Sequence, residues 1–359
     1  MSKNRYCIIM AGGVGSRFWP MSRQSHPKQF LDILGTGKSF IRQTYERFAQ
    51  FIPDSNFLVV TNANYKSEVL RQIPELAIDQ VLCEPLGRNT APCIAYAAYR
   101  LLAQDPDATM IVTPSDHYTS NQDTFKSVII EGADFASENR ALVTIGIRPT
   151  RPATGYGYIQ VADEVKLNGV NKVKTFTEKP TLEVARAFLD SGDFFWNSGI
   201  FIWIVKTIID AFEKWLPEID AQFKSIADHY GKPTERDAIA KIYPECRNIS
   251  IDYGIMEKTP DAYVICSDFG WSDIGTWESL YQNSRLTFDQ NVADENTFAY
   301  NTTGTIIKVP EDKLVVVEGL KDYIVVESDN VLLICRRDSE QNIKQFVEDV
   351  KMKKGNKFI

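Results

Sequence analysis

Two rhythms of apolar residues alternate along the first 150 positions. Short apolar or β-branched runs at residues 6–10, 57–61, 109–113 and 142–147, with a shorter one ending at 81–82, predict buried strands. Between them, residues 39–52 show helical spacing through Ile41, Tyr45, Phe48 and Ile52, and residues 65–73, 89–104 and 124–137 also read as helices. Strands alternating with helices imply a mostly parallel sheet with helices on both faces.

The rhythm then changes twice. Residues 156–161 and 170–178 read as paired strands around a turn at Asn168-Gly169. A helix at 181–189 follows Pro180, residues 200–204 are strand-like, and helices are expected between 205 and 243. After about residue 286, short β-branched runs at 305–309, 314–317, 323–327 and 331–335 recur at 8–10-residue spacing, and residues 343–352 read as a closing helix. The expected organisation is a catalytic α/β domain over 1–286 and a small β-rich domain over 287–359. No internal repeat of the larger units is visible.

Composition narrows the function classes. The 359 residues are 44% hydrophobic, enough for one large domain with or without a small one. The formal net charge of -7 argues against bulk binding to nucleic acid or anionic membrane, while leaving room for a local phosphate pocket. Six scattered cysteines form no C-x-x-C pair, so they read as buried thiols rather than zinc ligands or a disulfide framework. The first apolar run is too short for a signal peptide, and none approaches the roughly 18 residues of a membrane span. A soluble cytoplasmic protein is expected.

The first strand runs directly into Gly12, Gly13 and Gly15. Glycines there permit positive φ and let backbone N–H groups approach a phosphate chain. Arg17 and Lys28 add cations to the same loop. A plain strand-to-helix turn remains the alternative for the glycines alone. A dinucleotide fingerprint starting at Gly13 fails at Phe18, its third glycine position. The P-loop-like Gly35-Thr36-Gly37-Lys38-Ser39 has Asp32 where the leading glycine belongs and no strand close before it. It reads as a turn before a helix.

Ala11-Gly12-Gly13-Val14-Gly15-Ser16-Arg17-Phe18-Trp19-Pro20-Met21-Ser22-Arg23, followed by Pro27-Lys28-Gln29-Phe30, resembles the signature of mannose-1-phosphate guanylyltransferases. Further matches follow in family order: Glu84-Pro85 with Arg88-Asn89-Thr90-Ala91-Pro92, Pro114-Ser115-Asp116-His117, Gly155-Tyr156-Gly157-Tyr158-Ile159 and Phe176-Thr177-Glu178-Lys179-Pro180. Trp196-Asn197-Ser198-Gly199-Ile200-Phe201, Ser250-Ile251-Asp252-Tyr253 and Trp271-Ser272-Asp273-Ile274-Gly275-Thr276-Trp277 complete the series. The resemblance covers about residues 5–285 and weakly the remainder. It implies a Rossmann-like mixed, mostly parallel sheet of the nucleotide-diphospho-sugar transferase type. The continuation Phe18-Trp19-Pro20, where uridylyl, thymidylyl and adenylyl relatives usually have Leu after the arginine, is similar to the guanylyl branch. Many bacterial members carry a further isomerase domain, for which this length leaves no room, so a monofunctional type is expected.

The resemblance implies transfer of GMP from GTP to α-D-mannose 1-phosphate, giving GDP-mannose and pyrophosphate. The attacking phosphate oxygen is already an anion, so the task is to align two anions and offset their repulsion rather than to supply a base. Arg17 and Lys28 are expected to stabilise the transferring and leaving phosphates. Asp116 and Asp273 are the expected Mg²⁺ ligands, although 157 positions separate them and each can also be read as a turn or cap carboxylate. His117 reads as a structural neighbour. For the nucleotide, the candidates are Ala11, Gly12, Gly13, Gly15, Ser16, Glu84, Asn89, Thr90 and Ser115. Glu84 would accept from guanine N1 and N2; Asn89 and Thr90 would bond the base or cap the helix.

For the sugar phosphate, the candidates are Gly157, Glu178, Lys179, Asn197 and Asp252. Glu178 and Asn197 would meet hydroxyls and Lys179 the phosphate. Asp252 would meet a hydroxyl or orient Lys179, and Glu178-Lys179-Pro180 can equally be a turn. Trp196, Trp271 and Trp277 read as packing. The C-terminal strands would cap the catalytic domain or form a dimer contact, and the resemblance favours a homodimer. Rival readings are transfer to another sugar 1-phosphate, a non-catalytic regulatory homologue that binds sugar nucleotides, and a nicotinamide oxidoreductase, which Phe18 disfavours.

Overall fold

The computed structural model describes residues 4–167 and 170–359; the turn expected at Asn168-Gly169 lies outside the described residues. In chain order the strands are β1 (Arg5–Ala11), β2 (Phe57–Asn62), β3 (Val81–Glu84), β4 (Thr109–Pro114), the two-residue β5 (Tyr118–Thr119), β6 (Leu142–Ile147), β7 (Gly157–Leu167) and β8 (Val170–Glu178). They continue with β9 (Phe194–Ile204), β10 (Ala262–Ser267), the two-residue β11 (Trp271–Ser272), β12 (Thr297–Tyr300), β13 (Ile306–Lys308), β14 (Val315–Glu318), β15 (Tyr323–Ser328) and β16 (Val331–Arg336). The helices are α1 (Phe40–Ala49), α2 (Lys66–Gln72), α3 (Thr90–Leu102), α4 (Gln122–Asn139), α5 (Leu182–Ser191), α6 (Val205–Trp215), α7 (Pro217–Lys224), α8 (Glu235–Ile242), α9 (Trp277–Asn283) and α10 (Ile343–Lys354). Among the described residues no helix is long and apolar enough to cross a membrane.

The chain divides into two compact units. The larger comprises the chain up to Gly12, Thr44–Ser115 and Thr119–Trp271. Its nine-stranded sheet runs β3-β2-β1-β4-β9-β6-β10-β8-β7. Strands β1 to β4 are mutually parallel, as are β6 and β10. Strand β9 lies between β4 and β6, antiparallel to both, and the β7–β8 hairpin closes the far edge. The sheet is thus the mixed Rossmann-like type. Parallel pairing brings the carboxyl ends of β1, β3 and β4 to one edge, where Ala11, Glu84 and Ser115 sit.

Both faces of the sheet are covered, which is why its strands read as unbroken apolar runs. Tyr6, Ile8, Leu58, Val60, Met110 and Val112 join one core with α3, α6 and α7. Their alternating neighbours Cys7, Ile9, Val59 and Ile111 are equally buried, and α4 lies against β4, β6, β9 and β10. Within this sheet, β10 and the first half of β9 were unforeseen.

The smaller unit comprises Gly13–Gln43, Asp116–Tyr118 and Ser272–Ile359. Phe18, Trp19, Ile33 and Phe40 from the N-terminal segment share its core with Trp277, Leu280, Ile306, Ile324 and Ile343. Compactness therefore does not divide at the expected 286/287 boundary. The signature loop packs with the C-terminal part, a contact between distant segments that local patterning does not register. Strand β12 lies parallel to β14 and β13 parallel to β15; Thr297 faces Val315 and Ile306 faces Ile324, an offset of 18 residues in both. The C-terminal strands are successive turns of one coil, closed by the antiparallel β15–β16 pair. In the P-loop look-alike, Asp32 accepts from the backbone N–H groups of Thr36 (2.9 Å) and Gly37 (2.5 Å). Those amides are occupied by the chain's own carboxylate, as a turn requires.

Candidate active site

Within the smaller unit, the glycine loop is built around Lys28. Gly13 and Gly15 have φ of 85° and 73°, in the left-handed region. Gly15 has a second reason to be glycine: a Cβ there would lie 2.5 Å from Lys28 Cβ. Ser16–Phe18 form a single 3₁₀ turn, with the Phe18 amide donating to the Gly15 carbonyl and the Trp19 amide to that of Ser16. This turn carries Arg17, whose Nε is buried with no hydrogen-bond partner among the described residues.

Lys28, expected to stabilise the transferring and leaving phosphates, lies buried beneath the loop. It is 4% exposed, and its Nζ donates to Asp116 Oδ2 (2.8 Å), the Asp116 carbonyl (3.3 Å) and the Asp273 carbonyl (2.7 Å). Its ammonium also lies 5.7 Å from the Phe18 ring centre and 5.1 Å from that of Phe40. Lys28 thus unites two aspartates whose sequence separation carried no information. Burial pushes the Asp116 carboxyl up, but the Lys28 ammonium and then His117 outweigh it and hold the group below the usual carboxylate range. Asp273 Oδ1 accepts from the Gly275 amide at 3.0 Å, and the intervening Ile274 is buried at φ 40°, a costly conformation for a β-branched residue.

The larger unit brings together all five candidates for the sugar phosphate. A Cβ at Gly157 would collide with Glu178 Oε2 and lie 3.4 Å from Asn197 Cβ, so only glycine lets that carboxylate lie against the strand. Lys179 pairs with Glu178. Asn197 Nδ2 donates to Asp252 Oδ1 (2.7 Å), while its Oδ1 accepts from Thr144 Oγ1 (3.1 Å) and the Gly199 amide (3.2 Å). Burial, reinforced by the Glu178 charge, pushes Asp252 up to about 6 against the opposing effects of Asn197 and Lys179. Thr144, which fixes the Asn197 amide, carried no signal in the sequence.

The nucleotide candidates divide. A Cβ at Gly12 or Gly13 would meet nothing within 4 Å, so backbone there borders open space. The others engage the protein itself. Ala11 is buried, and its carbonyl accepts from Thr61 Oγ1. Ser115 is buried, its amide donating to Met10 and its carbonyl accepting from Thr44. Asn89 Oδ1 accepts from the Thr90 amide as the α3 cap, and Thr90 Oγ1 accepts from the Ile251 amide. Of the two roles open to Asn89 and Thr90, the side-chain oxygens take the structural one. Glu84 is 7% exposed and accepts from the Tyr243 hydroxyl; burial pushes its carboxyl up to about 7 despite that bond. Tyr243, 159 positions away, was not anticipated. The tryptophans pack as expected: Trp277 against Phe18 (5.0 Å between ring centres), Trp196 and Trp271 against Tyr156 (5.0 and 5.3 Å).

The smaller unit thus joins a glycine loop bearing Arg17 to a buried lysine bonded to Asp116 and Asp273, and the larger unit gathers Glu178, Lys179, Asn197 and Asp252. The nucleotidyl transferase family model matches residues 6–290, and the chain belongs to that family. Residues 295–350 match the mannose-phosphate isomerase/GMP-like β-helix domain, in keeping with the 18-residue coil. A mannose-1-phosphate guanylyltransferase of Salmonella typhimurium is 37% identical over 357 residues, covering 96% of this chain and 73% of that protein. A putative mannose-1-phosphate guanylyltransferase of Vibrio cholerae is 36% identical over 349 residues, covering 96% and 74%. The crystal structure of a mannose-1-phosphate geranyltransferase from Thermus thermophilus matches with a TM-score of 0.86 at 28% identity, over 97% of this chain and 99% of that one.

Proposed function

We propose that this enzyme transfers GMP from GTP to α-D-mannose 1-phosphate, forming GDP-mannose and pyrophosphate. The observation that carries the reading is the Lys28 bridge, which holds Asp116 and Asp273 together on the unit that also bears the glycine loop and Arg17. The guanylyl and mannosyl specificities rest on the relatives, whose similarity spans nearly the whole chain.

The sugar phosphate is its own nucleophile: one of its oxygens forms a bond to the α-phosphorus of GTP as the bond to pyrophosphate breaks. No proton need move. Backbone at Gly12 and Gly13 receives the phosphate chain, and the unpartnered Nε of Arg17 supplies a donor for charge on the leaving pyrophosphate. Lys28 acts one step back, keeping Asp116 ionised. Glu178 and Asp252 accept from sugar hydroxyls, Asn197 orients Asp252, and Lys179 meets the sugar's phosphate. Glu84 accepts from the base once deprotonated. Asp116 and Asp273 offer hard oxygen donors that suit Mg²⁺, with phosphate oxygens and water to complete the shell. When bound there, the ion would neutralise phosphate charge as a Lewis acid.

A pyrophosphate-release panel tests the specificity: four nucleoside triphosphates against several sugar 1-phosphates, with Mg²⁺. GTP with mannose 1-phosphate should give the highest kcat/KM. A higher value for another pair would transfer the assignment to that pair.

A further inference from the structure

The signature loop contains residues that the chemistry above does not use. Trp19, Ser22 and Arg23 are all buried, and each is hydrogen-bonded through its side chain. Ser22 Oγ donates to the Gly15 carbonyl at 2.5 Å, and its amide donates to the Phe18 carbonyl, so it ties both ends of the turn that carries Arg17. Trp19 Nε1 donates to the Phe358 carbonyl, just past α10, at 2.7 Å. Arg23 Nε donates to Pro20, while its Nη atoms reach the tip of the β15–β16 hairpin: the Ser328 carbonyl at 2.7 Å, Asn330 Oδ1 at 3.4 Å and Asp329 Oδ2 at 3.6 Å. A cavity of about 210 Å³ beside the loop is lined in part by Val14, Ser16, Trp19, Val347, Lys351 and Ile359.

We infer that Trp19 and Arg23 are positioning residues, through which the C-terminal coil and α10 hold the phosphate loop in its working shape. Phe18 and Trp19 pack into the core of the unit, but the glycines and Ser16 add little apolar surface of their own, and backbone so placed opens at low free-energy cost. Its rigidity is reinforced by tethers. Two are present, one on each side of Pro20, and both end in the C-terminal part of the same unit. The aromatic and basic tail of the signature thereby acquires a physical reason distinct from base recognition: Trp19 anchors the loop to the turn after α10, and Arg23 to the hairpin. A loop released from these tethers would present its amides and Arg17 in many orientations. The loss would fall on the triphosphate and spare the sugar phosphate.

This inference rests on the proposed reaction for its kinetic arm only. Trp19→Phe keeps an aromatic ring and removes the donor. Arg23→Lys keeps the charge and loses the forked contact. A chain ending at Lys354 removes the Phe358 acceptor and leaves the loop sequence intact. Hydrogen exchange in residues 12–18 is compared with that in β1 and β15, alongside KM for each substrate. All three variants should raise exchange in 12–18 selectively. Each should raise the KM for GTP by about three- to tenfold, with the KM for mannose 1-phosphate within about twofold of wild type. Unchanged exchange in 12–18 would overturn the inference. So would a general rise across the unit with both KM values unaltered, since that describes a merely structural role. If the wild type releases no pyrophosphate, the reaction assignment fails while exchange alone still decides the tethering.

Discussion

Around Lys28 a buried cation sits between two acidic residues; around Asp252 a half-buried acid sits beside another acid. In the first cluster the Lys28 ammonium pairs directly with the Asp116 carboxylate and takes Asp273 by its backbone carbonyl. Lys28 has acceptors for three hydrogen bonds, and Asp116 stays ionised well below neutral pH. In the second the lysine pairs with Glu178 instead, and burial together with the Glu178 charge makes Asp252 hold its proton up to about 6. A preorganised site for phosphate transfer gains from fixed charges that need no rearrangement. A site that reads hydroxyls gains from acceptors that are unsatisfied until the ligand supplies donors.

The largest effect should come from removing the cation that pairs with Asp116 in the first cluster. Lys28→Met strands the Asp116 carboxylate, and we expect turnover to fall by about 10³-fold, with stability lower by about 2–4 kcal/mol in urea unfolding. Wild-type turnover in a folded Lys28→Met protein would remove the bridge from the account. Asp273→Asn keeps an acceptor for the Gly275 amide while deleting charge. Turnover should drop by about 10²-fold at nearly unchanged Tm, with partial recovery at raised Mg²⁺. Equal turnover at all Mg²⁺ concentrations would rule out Asp273 as a ligand.

The second cluster should respond to pH in the opposite sense. A carboxyl with a raised folded-state pKa makes its contribution to stability below the unfolded value and loses it as pH rises through the folded one. For Asp252 that window runs from about 4 to about 6. Asp252→Asn should therefore be more stable than wild type at pH 8, by up to about 2 kcal/mol, and indistinguishable from it at pH 4. A stability gap independent of pH would show that Asp252 is not under this strain. The smallest effect is expected at Thr144→Val, which frees the Asn197 carbonyl oxygen from one donor. It should raise the KM for mannose 1-phosphate about threefold and leave that for GTP unchanged.

What could be read in advance differed between levels. Strands β1, β2, β4 and β6 were legible because burial on both faces leaves unbroken apolar runs. The first half of β9 was not, because Asn197-Ser198-Gly199 interrupts its apolar run. The 18-residue coil escaped because its strands are only three or four residues long. Among the candidate residues, the motif placed Gly157, Glu178, Lys179, Asn197 and Asp252, and the fold gathers them. Partners lay beyond it: Tyr243 under Glu84, Thr144 behind Asn197 and the Lys28 bridge depend on contacts across scores of positions. Lys28 shows the limit most clearly, since the sequence places it on the glycine loop and tells nothing of its burial or of its bonds to Asp116 and Asp273.

A phosphorus-31 NMR time course of the wild-type enzyme with GTP, mannose 1-phosphate and Mg²⁺ tests the central claim most directly. Both substrates should disappear at one rate, while pyrophosphate and a nucleotide-diphosphate sugar accumulate in equal amounts at that same rate. Release of inorganic phosphate instead, or no change over hours with folded protein, would contradict the account.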